Sequence, residues 1–354
     1  MIGGARGAVR WTLALGALLC VAVALTACGG SGASTPAGNA TASASSADAS
    51  AAGSASGAPT ATGAPSANAP ATADDALPAS QSGGFDGARA FQDVAKLVSF
   101  GPHPSGSDGI HQAQQYIEAE LKSSGCAFEE DNFHTPTPIG DMAMENIVAK
   151  VPGSGSGIIL LLTHYDTKRL DNFVGAEDSG SSTGVMLEMA RLLCSRQGRD
   201  PNAVWIAFLD GEEAMVDWTD TDSVYGSREL AARMAMSGDL KRVKAVILAD
   251  MIGQKNLEIP KETGSTKWLT DLVWSTATQL GYGKVFVTRD SPVEDDHQPF
   301  LKRGVPAVDL IDLDGYQAYW HTPQDTLDKI SARNLGIVGH VVLASVAELQ
   351  KNNH

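Results

Sequence analysis

The chain of 354 residues carries 41 acidic against 26 basic residues, a formal net charge of −15, and four cysteines. Such acidity argues against nucleic-acid binding, which needs a basic face to meet phosphates. The cysteines offer no cluster for a thiolate metal site and, with Cys20 and Cys28 set aside, at most one disulfide, between Cys126 and Cys194.

Met1 to Ala27 reads as an export signal: Arg6 and Arg10 precede an apolar run from Trp11 to Leu25 that is too short for a comfortable membrane span. The run ends in Leu25-Thr26-Ala27-Cys28, which resembles the bacterial lipobox, in which the cysteine becomes a lipidated amino terminus. The expectation is an exported protein anchored to the bacterial cell envelope through lipid on Cys28. Residues 28–84 are almost wholly Ala, Ser, Gly, Thr and Pro after that cysteine, lack the apolar surface to fold, and read as a disordered linker. All but three acids and all but two bases lie in residues 85–354, the length of one α/β domain with a single large core.

Within that domain, Phe85 to Val98 and Gly109 to Ser123 have helical apolar spacing, separated by Gly101-Pro102-His103-Pro104, which no helix can cross. Strands are predicted at Ala127–Phe133, Glu145–Val151 and Gly157–Thr163, the last apolar throughout as a central strand would be. It ends in His164-Tyr165-Asp166. Asp178 stands at the entrance of a helix predicted over Ser182–Cys194, where an acid can be nothing more than a cap. The next strand, Val204 to Leu209, runs through the Asp210-Gly211 turn into Glu212 and Glu213. Alone, that pair would describe a solvated acidic turn. A loop through Trp218 leads to a helix ending at Met234, and a strand over Val243–Ala249 ends in Asp250. A helix over Thr266–Leu280, a strand over Lys284–Val287, a helix start at Glu294-Asp295-Asp296-His297 and a strand over Val305–Ile311 follow. Tyr316, Trp320 and His321 lie on the next loop, and a helix over Ala332–Leu349 closes the domain.

His164, Glu212, Glu213 and Asp250 each follow a predicted strand, Asp178 opens a helix and His321 sits on a post-strand loop. In an open α/β sheet those positions converge on the edge where ligands bind. Nitrogen and oxygen donors without thiolate suit zinc, and a catalytic zinc keeps three protein ligands and one open position.

The residues that carry this pattern, His164 to Lys168 (HYDTK), Asn172 to Ser182 (NFVGAEDSGSS), DGEEA with Trp218, Asp222 to Ala231 (DSVYGSRELA), Asp295 to Pro306 (DDHQPFLKRGVP) and Trp320 to Thr322 (WHT), resemble the glutaminyl-peptide cyclotransferases within the zinc aminopeptidase superfamily. The resemblance covers about Phe100 to the end. It implies a zinc-exopeptidase-like α/β/α sandwich on a mixed, twisted central sheet. It further implies one zinc ion on Asp178, Glu213 and His321, Glu212 as general acid/base, Asp250 and Asp295 as a hydrogen-bonded carboxyl network behind it, and Trp218, Trp320 and Tyr316 lining the substrate pocket. The implied reaction turns amino-terminal Gln of peptides or proteins into pyroglutamate with loss of ammonia, performed by a monomer.

Two departures bear on this. Animal secreted cyclases carry a disulfide where this chain has Thr163 and Thr183, and His321 is followed by Thr322-Pro323-Gln324-Asp325-Thr326, a form common among the aminopeptidases. An aminopeptidase of the superfamily would use two zinc ions, with His164 and Asp250 as further ligands and Asp178 between them. All five ligands are present, so the ligand set fits either enzyme; in a one-zinc enzyme His164 would support the site from behind. A carboxyl at Asp295 and the two tryptophans favour the cyclase. A third class, a tethered protein that binds peptides without turning them over, would bind zinc and show no activity.

Overall fold

The computed structural model describes residues 73, 75–196, 198 and 200–351; the expected export signal, Cys28 and nearly all of the linker lie outside the described residues. The apolar runs of the sequence form the middle of a sheet. Strands β3 (Ile158–His164) and β4 (Ala203–Leu209) are buried at every position, which an unbroken apolar run requires because both of its faces must be covered. With β1 (Ala127–Thr137), β2 (Gly140–Val151), β5 (Val243–Asp250) and β8 (Ala307–Ile311) they make a six-stranded sheet in the order β1-β2-β4-β3-β5-β8. The β1–β2 and β2–β4 pairs are antiparallel and the others parallel, so the sheet is mixed.

Successive side chains point to opposite faces of a strand, and each face has its own helices. Ile159, Leu161, Ile206, Phe208 and Ile247 pack under α1 (Gly87–Val98), α2 (Asp108–Ser123), α3 (Ser182–Cys194), α5 (Lys267–Gln279) and α8 (Ala332–Lys351). Leu160, Leu162, Ala207, Leu209 and Leu248 pack under α4 (Tyr225–Ser237) and the short α6 (Gln298–Leu301). The fold is the expected α/β/α sandwich. Its thicker helical layer depends on close approach: a Cβ at Gly339 would lie 2.3 Å from the Phe85 ring, and one at Gly184 only 2.6 Å from the Ala90 carbonyl oxygen.

Several boundaries move from their sequence-based positions for identifiable reasons. The Asp86 carboxylate accepts from the N–H of Ala88 and Arg89, so α1 starts at Gly87 and leaves Phe85 outside the helix. Packing also begins before Phe85: Asp75 accepts from Ser331 and from the Arg333 N–H, and Leu77 lies against the core. The hairpin of β1 and β2 reaches to Thr137 and Gly140: the β1 extension His134–Thr137 is polar, and in the β2 extension Gly140–Met144 only Met144 is buried, too little for an alternating pattern to show. The strand expected at Lys284–Val287 forms later, as β7 (Phe286–Ser291), and pairs with β6 (Ile259–Glu262) in a small separate sheet. Cys126 and Cys194 are joined, tying the start of β1 to the end of α3. Linking residues 68 apart restricts the unfolded chain, an effect worth about 4 kcal/mol in chain-entropy terms.

The strand order also locates a crevice. The chain passes from β3 to β4 on one side and then to β5 on the other side of β3, so the winding reverses at β3. Beyond the carboxyl ends of strands at such a reversal, the loops diverge and leave room for a ligand.

Candidate active site

His164 ends β3 and Asp250 ends β5, and both are buried at that crevice. His164 Nε2 lies 3.1 Å from Asp250 Oδ1 and 3.3 Å from Asp178 Oδ1, while its Nδ1 lies 3.5 Å from Asp166 Oδ1. Asp178 sits at a kink in the short segment Ala176–Ser181 ahead of α3, its own backbone out of helical conformation at φ −113° and ψ 91°. Gly175 makes the turn possible: it has φ +58°, and a Cβ there would lie 2.1 Å from the Asp178 carbonyl oxygen. The other oxygen of Asp178 lies 3.3 Å from His321 Nε2, which is 3.1 Å from Glu213 Oε1. Asp178 thus joins two donor triads, Asp178/Glu213/His321 and His164/Asp178/Asp250, each with its donor atoms within 4.8 Å of one another. The first borders the pocket and its His321 is partly exposed; the second is buried throughout.

The two adjacent glutamates diverge. Asp166 receives the N–H of Glu212 at 3.1 Å and of Glu213 at 3.4 Å, fixing the backbone after β4. Glu213 then turns to His321 and to Lys168 Nζ, 3.3 Å from its Oε2. Glu212 faces the pocket, and among the described residues no group donates a hydrogen bond to its carboxyl oxygens. Asp295 lines the same pocket, but the expected hydrogen-bonded carboxyl network is not formed: its Oδ2 is buried and unpartnered, its Oδ1 accepts the Asp296 N–H, and Asp250 is bonded to His164.

Electrostatics at this edge show a shortage of positive charge. Burial pushes the Glu212 carboxyl well above its ordinary range, and the neighbouring Glu213 and Asp295 charges add to it against His164. Asp295 is pushed well up by burial and by Asp250 and Asp296. Burial opposes charge on His321, but its hydrogen bonds to Asp178 and Glu213 prevail and raise it to about 9. His164 rises well above the usual imidazole value because Asp250, Asp166 and Asp178 outweigh its burial. Burial opposes ionisation of Asp178 too, yet the two histidines hold its carboxyl well below the carboxylate range. Imidazole nitrogens and carboxylate oxygens clustered in this way fit a divalent cation, and the absence of thiolate among them suits zinc.

The pocket beside the triads has a volume of about 290 Å3 and an apolar wall that includes Val293, Ile311 and Leu313. Trp218 and Trp320 both line it, 40% and 38% exposed. Asp222 gathers the N–H groups of Met215, Val216 and Asp217, and this tight turn presents Trp218. Trp320 stacks on the His321 ring at 4.3 Å between centroids, and His321 holds a left-handed φ of +50°. A non-glycine residue in that conformation costs roughly 1 kcal/mol or more and persists only where the surroundings impose it. Tyr316 does not line the pocket as expected. It ends the short helix α7 (Leu313–Tyr316), is fully buried, and donates its hydroxyl to Asp325 Oδ2 at 2.6 Å.

Asp325 was not among the residues singled out from the sequence, yet it anchors the site. Its carboxylate also accepts the N–H of Glu177 at 2.8 Å and of Asp178 at 3.2 Å. Asp166 was missed in the same way, although it stands two residues after His164. Both are acids within motifs, and a buried acid must find donors; that was the available signal. Behind Asp295, His297 Nε2 lies 3.2 Å from Glu262 Oε2.

Comparison with known proteins agrees with this geometry. Residues 146–346 match the family model for peptidase family M28. The glutaminyl-peptide cyclotransferase of Bothrops jararaca is 32% identical over 285 residues, covering 69% of this chain and 77% of that relative. The crystal structure of Acidobacteriales bacterium glutaminyl cyclase superposes with a TM-score of 0.72 at 38% identity, covering 82% of this chain and 99% of the other. A Zn-dependent exopeptidase from Parabacteroides distasonis superposes at 0.67 with 27% identity, over 74% of this chain and 98% of that one. The chain belongs to peptidase family M28 and, within it, to the glutaminyl-peptide cyclotransferases.

Proposed function

We propose that this protein converts the amino-terminal Gln of peptides and proteins to pyroglutamate and releases ammonia, with one zinc ion held by Asp178, Glu213 and His321. The observation that carries the reading is the meeting in one pocket of that triad, the unengaged carboxyl of Glu212 and two half-exposed indoles. When bound, zinc supplies a Lewis acid for the γ-amide carbonyl. Glu212 accepts a proton from the α-amine as the amine nitrogen bonds the γ-amide carbon, and returns it to the amide nitrogen, which leaves as ammonia. One C–N bond replaces another and no water is consumed. Because nucleophile and electrophile belong to one residue, proximity supplies an effective molarity of roughly 10⁵ M or more once Trp218 and Trp320 hold the side chain folded back. Asp250 and Asp295 flank Glu212 as carboxyls able to hold a proton beside it.

The test is ammonia release from Gln-peptides set against hydrolysis of Leu-anilide. Efficient Leu-anilide hydrolysis without cyclisation would establish the second reading, a zinc aminopeptidase, which the triad His164/Asp178/Asp250 favours by offering a place for a second ion. One zinc per active chain supports the cyclase; two tightly held ions support the peptidase. Bound zinc without either activity would leave a peptide-binding protein.

We further propose, on the sequence of residues 1–28 alone, that the protein is exported and tethered to the cell envelope through lipid on Cys28; we propose too that it acts as a monomer. Mass spectrometry of the mature amino terminus tests this: a diacylglyceryl-modified Cys28 is expected, and an unmodified terminus elsewhere would refute it.

A further inference from the structure

Next to the catalytic pocket, and sharing Trp218, Glu294 and Asp295 with it as walls, lies a second cavity of about 320 Å3. In a domain with a marked acidic excess, this cavity gathers Arg228, Lys302 and Arg303. Arg228 is half-buried in the first turn of α4, its guanidinium 4.7 Å above the Tyr225 ring. It donates to the carbonyl oxygens of Asp220 and Thr221 at 3.1 and 3.3 Å, and its Nε is buried with no partner. Among the described residues, no carboxylate pairs with Arg228 or Arg303.

Two of the neighbouring acids are engaged. Asp222 accepts from three backbone N–H groups and from the Tyr225 hydroxyl, and Asp220 lies 3.3 Å from Lys302 Nζ. Glu294 is exposed on the wall shared by the two cavities, and Asp295 is buried on that same wall. Burial depresses the Arg228 guanidinium below its ordinary value, outweighing the opposing charges of Asp222 and Asp220. Each Nη of Arg228 keeps a second N–H beyond its bond to a backbone carbonyl, and a guanidinium with free donors matches carboxylates and phosphates; of the two, a peptide carries the carboxylate.

The backbone that carries Arg228 is tied to the reacting centre. The N–H of Val224 donates to the Glu212 carbonyl at 2.8 Å and that of Tyr225 to the Gly211 carbonyl at 2.7 Å. Val224 holds φ +45°, a conformation a β-branched residue adopts only under constraint. The second cavity is therefore placed rigidly against the first, with Trp218, Glu294 and Asp295 as the shared wall.

We propose that this cavity is a subsite for a carboxylate carried by the substrate downstream of its amino-terminal Gln, and that Arg228 is the residue that binds it. The inference rests on the cyclase reading for the identity of the first residue. An acidic side chain and the terminal carboxylate of a short peptide share the required chemistry.

The full chain is assayed for ammonia release from amidated Gln-Ala pentapeptides with a single Asp walked through positions 2 to 5, and from shorter peptides with free or amidated carboxyl termini. At one position Asp raises kcat/KM about ten-fold over Ala, chiefly through KM, as a half-buried charge-assisted contact would. The ratio falls toward one in Arg228→Gln and with added salt, and Arg228→Lys retains part of it. A gain confined to free termini identifies the bound group as the α-carboxylate and supports the subsite equally. Ratios near one at every position and terminus in the wild type, or a gain undiminished in Arg228→Gln, overturn it; the wild-type series decides alone if that variant does not fold. The all-Ala amidated parent reports the reaction separately. If it is not cyclised, the cyclase reading fails, and the same Asp-to-Ala ratio taken on peptide hydrolysis decides the subsite.

Discussion

Beneath α1, the fully buried Glu188 accepts from Arg191 Nε and Nη2 at 2.6 Å each and from the Asp86 N–H at 3.1 Å, with Arg89 Nε 3.5 Å away. At the carboxyl edge of the sheet, Asp178, Glu212, Glu213, Asp250 and Asp295 are buried together with Lys168, His164 and His321 as the nearby cations. The first cluster is closed by the chain itself; the second has donors to spare and a deficit of positive charge. Buried carboxylates are tolerated when paired. A cluster left short of cations beside an open pocket is built for something that arrives from outside.

The largest test of this contrast separates the adjacent glutamates. Glu212→Gln should retain zinc and lose about 10²- to 10⁴-fold in kcat. Glu213→Gln should lose zinc by elemental analysis, because an anionic ligand is gone; equal metal loss in both variants would remove the division of labour. Next in size, His164→Asn should keep one zinc per chain and reduce activity about 10- to 100-fold, as a group that supports ligands without holding the metal does. Loss of a second equivalent of metal in that variant would turn the buried triad into a true second site.

The self-contained cluster should respond in stability and not in turnover. Glu188→Gln leaves two arginines without their carboxylate, one of them substantially exposed, and should cost about 2 kcal/mol in chemical denaturation with kcat unchanged. The smallest effect concerns Asp93, on the buried face of α1 itself, whose carboxyl is pushed up to about 7 by burial, against the Tyr116 hydrogen bond and with help from Glu120. A carboxyl raised in the folded state contributes stability that is fully present below its unfolded pKa of about 4 and is lost as pH rises through 7. Asp93→Asn should therefore match the wild type near pH 4 and exceed it above pH 7 by on the order of 1–2 kcal/mol. A gain at pH 4 that disappears at pH 8 would reverse the assignment.

What could be read in advance follows the physics of burial. Val204–Leu209 and the run before His164 are central parallel strands, covered on both faces, so their composition alone announced them, and the polar residues that end them fell at the expected sheet edge. Trp218 and Trp320 reached the pocket because each stands within a few residues of a donor. The outer ends of β1 and β2 are largely exposed and β6 is only four residues long, so they leave no period to detect. Tyr316 shows the limit of spacing on a loop: five residues from His321, it points into the core because Asp325 receives its hydroxyl. Asp325 in turn serves residues 147 and 148 positions away, a distance no local pattern encodes.

That one carboxylate has a further consequence. It grips the backbone beneath Asp178 with one set of bonds and, through Tyr316, the base of the loop that ends in Trp320 and His321. Cofactor retention and substrate fit are thus inherited together. A change in the loop from 312 to 326 is therefore felt at the turn that carries Asp178, whereas Trp218 rides on a turn anchored independently by Asp222.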